Sequence, residues 1–413
     1  MSTKPQTLAE KIISRHAGRP VYAGELAVVQ VDGVMATDAT APFAIQAFRE
    51  MGVSRVWKPD RVTLVIDHAS PAPNERVANL HKLLRDFAAE QGCHFYDVGN
   101  GICHQLIVDN RHVKPGDLYL GADSHTPTYG ALNAFAAGMG STDIAAAMMT
   151  GKTWLKVPAS IKVVLNGRLA KGVSAKDVIL RVLQTVTVSG ALYMSVEFTG
   201  EAVQSMTLAS RMVLANMVAE MGAKTGLVDP TGLHLPYTWE PTLPDEGAVY
   251  AAEYTFDLSD LTPMIALPHI PDNVVPISQA AGIPVQQAFI GSCTNARLED
   301  LQAAAAVLNG KRLAPGVRLL IAPASNAIFQ KALADGTIQI LTAAGAMFMT
   351  SGCGPCVGTH LGVPGDGEAV ISSTNRNFKG RMGNPNAQVY LASPAVVAAS
   401  ALRGVITDPN TLE

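Results

Sequence analysis

Leu118-Tyr119-Leu120-Gly121-Ala122-Asp123-Ser124-His125 sets a short apolar run directly against a small and polar tail, and this layout recurs along the chain. Val62 to Ile66 precedes Asp67-His68, Gln287 to Ile290 precedes a loop around Cys293, and Arg318 to Ile321 precedes Ala322-Pro323-Ala324-Ser325. Ala346 to Met349 precedes a loop around Cys353, and Ala369 to Ile371 precedes Ser372-Ser373-Thr374-Asn375-Arg376. Between these runs lie helical patterns such as Asn74 to Glu90 and Leu298 to Leu308, opened or preceded by capping residue types. Alternating strands and helices predict an α/β fold with parallel sheets, whose ligands gather beyond the carboxyl ends of the strands.

The stretch from about Ile161 to Pro241 reads differently. It holds a strand at Ile161 to Leu165, helices near Ala175 to Val186 and Ser205 to Glu220, and then a proline-rich Leu235 to Pro244 that we read as a linker. A further unit starts near Leu267-Pro268-His269 and carries Cys293, Cys353 and Cys356. No internal repeat or low-complexity segment is visible.

Composition narrows the function. With 413 residues, 48% hydrophobic, 16% charged and 36 glycines, the chain suits a multi-domain buried α/β protein and excludes a disordered or coiled-coil one. A net charge of -3 argues against a general nucleic-acid binder. Met1 to Arg19 is amphipathic without the apolar core of a secretory signal, and no apolar run is long enough to span a bilayer. Five irregularly spaced cysteines do not form an extracellular disulfide framework, so a reducing cytoplasm is expected. Gly151-Lys152-Thr153 lacks the earlier glycine of a phosphate loop, which falls at Ala146, and Gly138-Met139-Gly140 lacks the third glycine of a dinucleotide fingerprint.

Cys353 and Cys356 form a Cys-x2-Cys in Ser351-Gly352-Cys353-Gly354-Pro355-Cys356-Val357-Gly358. By itself such a pair is a redox couple, half of a zinc site or two buried small residues. Cys293, in Gly291-Ser292-Cys293-Thr294-Asn295, shares the glycine-rich setting, which lets a backbone wrap a bulky ligand and aim amide groups at anionic sulfur. Three thiolates around a four-iron cube leave one iron open, which suits Lewis-acid chemistry more than electron transfer. Cys93 and Cys103 lack that setting and are expected to be buried packing.

His68 after Asp67, His125 after Asp123-Ser124, and His104 in Gly101-Ile102-Cys103-His104-Gln105 stand beside carboxylates or hydroxyls near strand ends, where imidazole and carboxylate together can deliver a proton near neutral pH. His16, His81, His94, His112 and His234 have no such setting and are read as surface or core residues. Asn375-Arg376-Asn377-Phe378-Lys379-Gly380-Arg381 places two guanidinium groups five apart, a suitable clamp for carboxylates, though a solvated basic loop has the same composition. Asn216 and Glu220 are four apart on one expected helix and so share a face, where a surface hydrogen bond is the plain alternative.

Gly121-Ala122-Asp123-Ser124-His125-Thr126, the Cys293 loop, the Cys353 loop and Asn375 to Arg381, in this order, resemble the aconitase family through nearly the whole chain. The likeness is closest to the compact large subunits of the 3-isopropylmalate dehydratase and homoaconitase group. The resemblance implies three aconitase-like α/β domains at 1–158, 159–265 and 266–413, the last carrying the cluster cysteines. It implies a [4Fe-4S] cluster on Cys293, Cys353 and Cys356, whose open iron takes the substrate's hydroxyl and a carboxylate. It further implies catalytic pairings of Asp67 with His68, His104 with Asp123, and His125 with Glu220. Ser124 completes the local network, Asn216 and Asn375 line the site, and Arg376 and Arg381 bind substrate carboxylate.

Two departures from the family pattern stand out. Thr37 precedes Asp38-Ala39-Thr40 where single-chain aconitases have glutamine, and the chain ends at Glu413 without the swivelling fourth domain. In the family that domain supplies a serine base and another arginine, so a separate small subunit is the expected partner, giving a heteromer. The expected reaction is dehydration and rehydration of a hydroxy diacid. 2-Isopropylmalate is the leading substrate, with homocitrate or homoaconitate and 2,3-dimethylmalate as rivals. An apo-form RNA-binding regulator is the alternative of another class, and neither nucleic acid nor membrane is an expected partner.

Overall fold

Val62–Val65, Leu118–Gly121 and Gln287–Ile290 are buried at every position, the pattern of strands covered on both faces. Each lies inside a parallel sheet of the computed structural model, which describes residues 4–412. Residues 1–3 of the amphipathic start therefore lie outside the described residues; the helix that follows runs Leu8–Ala17. Thr7 and Glu10 close a capping box at its start, and Gly18, in the left-handed region, ends it.

The first sheet runs, in spatial order, His94–Tyr96, Val62–Val65, Gly33–Thr37, Leu118–Gly121, Phe135–Gly138, all parallel. The chain builds outward in both directions from the junction of Gly33–Thr37 and Leu118–Gly121. That junction is a topological switch point, where the following loops part and leave a crevice. The second sheet orders Thr225–Val228, Ser195–Thr199, Ser160–Asn166 and Ala252–Asp257, again parallel.

The third sheet has seven strands. Gln388–Leu391, Ala369–Ser372, Gln287–Ile290, Arg318–Ile321 and Met347–Phe348 are parallel, while Met264–Ala266 pairs antiparallel with Gln388–Leu391 and with the edge strand Val274–Pro276. Its switch point lies between Gln287–Ile290 and Ala369–Ser372, the strands that lead into Cys293 and Asn375. A two-stranded antiparallel ribbon, Leu26–Gln30 against Lys152–Lys156, completes the sheets among the described residues.

Helices Ala175–Val186 and Leu298–Leu308 have the bounds read from sequence, and Asn74 caps Glu75–Gln91 rather than beginning it. The helix expected over Ser205 to Glu220 is divided. Thr207 caps Leu208–Met217, and the chain then tightens into a 3-10 turn, Val218–Met221, before Gly222 turns left-handed. The strand Ala252–Asp257, which follows the proline-rich segment and pairs with Ser160–Asn166, was not visible in the sequence. Its position at a sheet edge leaves Glu253, Thr255 and Asp257 exposed, which breaks the apolar run that marks the central strands.

Close backbone approach ties the layers together. A Cβ on Gly130 would lie 1.5 Å from the carbonyl oxygen of Gly226, so only glycine lets the turn Thr126–Leu132 meet the strand Thr225–Val228. The third sheet shares one apolar core with the first and another with the second. Among the described residues no helix is long and apolar enough to cross a membrane.

His16, on the first helix, meets Asp32 at 2.6 Å, and Asp32 also accepts the Leu118 N–H at 2.8 Å. Burial opposes charge on both, but their mutual contact outweighs it, raising His16 above its ordinary 6.5 and lowering Asp32 below its ordinary 3.8. The histidine's contribution is full below pH 6.5 and fades as pH rises through its folded pKa, whereas the carboxylate's is present above pH 3.8 and fades as pH falls through its own. Asp32→Asn should therefore destabilise by about 1 kcal/mol, most strongly between roughly pH 4 and 6.5 and less at pH 8, as measured by denaturant unfolding across that range.

Candidate active site

The switch points of the first and third sheets face each other, so loops that follow different strands enter one cleft. The Cys353 N–H donates to the carbonyl oxygen of Asp67 at 2.9 Å, joining the two sets of loops directly. A small cavity of about 130 Å³ lies there, lined by His68, His104, Asp123, Ser124 and His125 on one side and by Cys293, Cys353, Cys356, Asn375, Arg376 and Arg381 on the other.

Asp123 organises the first side. Its carboxylate receives His104 Nε2 at 2.7 Å and the His125 N–H at 2.8 Å, and its second oxygen lies 3.3 Å from His68 Nε2. His68 Nδ1 is 2.8 Å from Asp67, whose other oxygen accepts the Cys103 N–H at 2.7 Å. Burial penalises the His68 imidazolium, but Asp67 and Asp123 outweigh it and hold its pKa well above the ordinary value. Burial likewise opposes charge on Asp123, yet His104 and His68 hold its carboxyl well below the usual range.

His125 Nε2 meets Glu220 at 2.8 Å, and Arg376 Nε donates to both Glu220 oxygens at 3.0 and 2.9 Å. Burial and the Arg376 cation push His125 below its ordinary pKa against the pull of Glu220. Ser124 Oγ stands 3.4 Å from His125 Nδ1. All three histidine–carboxylate pairs expected from the resemblance are thus in hydrogen-bond contact.

On the second side, Ser292 adopts φ 73°, a left-handed conformation uncommon for serine, just before Cys293. Cys293 Sγ accepts from Asn216 Nδ2 at 3.1 Å and from Asn375 Nδ2 at 3.4 Å, while Arg381 lies 3.9 Å from Cys356 Sγ. The plain alternative of a helix-surface hydrogen bond between Asn216 and Glu220 is overturned. Both are buried, and the 3-10 turn between them sends Asn216 to Cys293 and Glu220 to His125. Asn216 does not line the cavity. Its amide is spent on Thr128, Cys293, Thr294 and Asn375, so it holds the cysteine loop from behind.

The three cysteines are free and buried. Burial first, then the neighbouring Cys356 and Asp123, push the Cys293 thiol up to about 12; burial, then Asp67 and the other two cysteines, holds Cys353 well above its ordinary value. Three thiols sharing one desolvated cavity, with amide and guanidinium donors aimed at sulfur, fit a ligand that replaces their protons with positive charge. Asp67, His68 and Cys353 also bring donor atoms within 4.8 Å of one another, but the carboxylate and imidazole already bond to each other and to the Cys103 N–H.

Several participants escaped sequence reasoning. Cys103 is buried as expected, yet it lines the cavity. Lys176 is fully buried and its Nζ donates to the carbonyls of Ser373 and Thr374 at 2.9 and 2.6 Å, directly before Asn375. Arg297 grips the carbonyls of Cys293 and Thr294 at 2.7 and 2.6 Å. Asp38 receives the backbone N–H groups of Asp67, His68 and Ala69 at 3.0, 2.9 and 2.8 Å, and buried His81 stands 3.5 Å from it. The segment after Thr37 therefore braces the His68 loop. The lysine and arginine carry no local motif; only the fold brings them to these carbonyls.

A model of the aconitase family (aconitate hydratase) matches residues 10–283 and 278–404. The chain is 48% identical to the 3-isopropylmalate dehydratase large subunit 1 of Methanopyrus kandleri, covering 98% of this chain and 99% of that protein. It is 49% identical to the homoaconitase large subunit of Thermus thermophilus, covering 99% and 98%. The solved holo-form of Thermococcus kodakaraensis aconitase X superposes with a TM-score of 0.52 over 91% of this chain and 94% of that one; at 15% identity this speaks for the fold alone. The chain belongs to the aconitase family.

Asn216→Leu keeps the volume but leaves Thr294 and Asn375 without their buried partner. It should destabilise by about 2 to 3 kcal/mol and lower the iron bound per chain after reconstitution, measured by unfolding and metal analysis.

Proposed function

We propose that this chain is the cluster-bearing large subunit of a hydro-lyase that isomerises a hydroxy diacid, with 2-isopropylmalate to 3-isopropylmalate, a step of leucine biosynthesis, as the leading reaction. The observation that carries the reading is Asp123. One half-buried carboxylate orients His68, His104 and His125 around a cavity whose opposite wall is three buried cysteines and an arginine pair.

Cys293, Cys353 and Cys356 would hold a [4Fe-4S] cluster. When bound, it supplies an open iron that acts as a Lewis acid toward the substrate hydroxyl. His68, kept protonated by Asp67 and Asp123, holds a proton at Nε2 beside the cavity. His104, oriented by Asp123, and His125, oriented by Glu220, complete the proton-handling wall with Ser124. Arg376 has its Nε committed to Glu220, which leaves its terminal nitrogens for a substrate carboxylate beside Arg381 and Asn375. Water exclusion by the facing loops strengthens each of these contacts.

The proton on the neighbouring carbon requires an acceptor, and a separate small subunit carrying the swivelling domain supplies it. We read 1–158, 159–265 and 266–413 as three domains, each built round one main sheet; Met264 and Ile265, in the third sheet's strand beside Val274–Pro276, fall before the last boundary. Free cysteines at a site of this kind favour the reducing cytoplasm. Homoaconitase is the second reading, because the Thermus relative so named is as similar as the relatives named for 3-isopropylmalate.

Anaerobic reconstitution with iron and sulfide, followed by assay with the small subunit against 2-isopropylmalate, homoaconitate and 2,3-dimethylmalate, tests the reading. Turnover should require both chains and be fastest on 2-isopropylmalate, and His104→Asn should lower kcat by about a hundredfold or more. Full activity from this chain alone, or none on any hydroxy diacid with both present, would contradict it.

A further inference from the structure

Outside the site, the outer face of the two-stranded ribbon is an exposed apolar surface of regular geometry. Leu26, Val28 and Trp154 are 66%, 65% and 63% exposed, and strand register sets Val28 directly across from Trp154. Alternate residues of the same strands, Ala27, Val29 and Leu155, are buried, so the ribbon has one face in the core and one apolar face in solvent. An antiparallel ribbon that faces water normally alternates to polar on its outer side. Three large apolar residues at adjoining positions mark an interaction surface.

This surface continues into the catalytic loop. Trp154 and Tyr193 wall an open cavity of about 550 Å³ whose lining includes Asp123 and Ser124, the loop that also lines the cysteine cavity. Tyr193 is anchored by its hydroxyl donating to the Lys156 carbonyl at 3.3 Å, and the Lys224 ammonium lies over its ring. Lys152 and Lys156 flank the apolar residues on the exposed face, while Asp143 stands in the cavity wall.

We propose that the Leu26, Val28, Trp154 and Tyr193 surface is where the small subunit docks, through an apolar patch with an acidic rim that meets Lys152 and Lys156. The inference rests on the two-chain reading above and names where the chains meet. The occupant is argued from the path of the cavity: a partner seated on the ribbon reaches Asp123 and Ser124 from the side, as a subunit completing the site must. A symmetric contact between two copies of this ribbon would cover the cavity mouth without adding to the site. Trp154, a large, rigid, solvent-facing aromatic at the centre of the patch, is the expected anchor.

The test uses the full reconstituted chain and the small-subunit homologues of the same genome, with affinity measured by titration calorimetry. Trp154→Glu and Val28→Lys should each weaken binding at least about thirtyfold. The melting temperature and the cluster's electronic spectrum should stay unchanged, because both side chains face solvent. If the wild-type chain binds none of those subunits, the two-chain reading itself falls. If the wild type binds and both ribbon variants bind equally well, only the docking site is overturned. A change in the oligomeric state of the lone chain in Trp154→Glu, with small-subunit affinity intact, would overturn it in favour of a second copy.

Discussion

The backbone hydrogen bond from the Cys353 N–H to the Asp67 carbonyl at 2.9 Å, with those from Ile102 N–H to Ala324 at 2.8 Å and from Asn326 N–H to Asn100 at 2.9 Å, fixes how the first and third sheets face each other. Each sheet opens at its own switch point, and neither opening holds a complete set of reacting groups. The first brings the histidines and carboxylates of Asp67-His68 and Asp123 to His125; the third brings the cysteines and the Asn375 to Arg381 loop. The site exists because the two crevices are locked mouth to mouth. Gly352 allows the contact, since a Cβ there would lie 2.9 Å from the same Asp67 oxygen.

Bringing so many polar groups out of water is costly unless each has a partner, and the structure meets that demand in layers. Asp123 serves two imidazoles and a backbone amide, Glu220 serves His125 and Arg376, and Asp38 holds three successive amides of the His68 loop. Behind the cysteines, Arg297 and Lys176 hold the carbonyls of the two loops that carry Cys293 and Asn375. Arg297 also places positive charge behind a set of sulfurs that would carry negative charge when loaded, while burial brings Lys176 down to about 7. Rigidity and electrostatics thus come from the same residues.

The fold was largely legible because central parallel strands leave an unmistakable trace: buried apolar runs that stop at small and polar residues. Val62–Val65, Leu118–Gly121 and Gln287–Ile290 all read this way, and their tails hold His68, Asp123, Ser124, His125, Ser292 and Cys293 of the cavity's lining. The edge strand Ala252–Asp257 was illegible because half of it faces water. The orientation of Asn216 was illegible for another reason. Helical periodicity put it on one face with Glu220, but the tightening at Val218–Met221 rotates them apart, and no residue type at that point announces a 3-10 turn. Lys176 and Arg297 sit in ordinary helical sequence, and their roles depend on carbonyls distant in the chain.

Cys293, Cys353 and Cys356 alone would ligate a four-iron cube and leave one iron open, even though Cys103 lines the same cavity. Mössbauer spectroscopy of the anaerobically iron-loaded chain, recorded with and without an added hydroxy diacid, measures this directly. The account predicts a [4Fe-4S] signal in which one iron changes its isomer shift when the diacid is added, with an identical result in Cys103→Ser. Four equivalent irons indifferent to the diacid, or a cluster lost in Cys103→Ser, would contradict it.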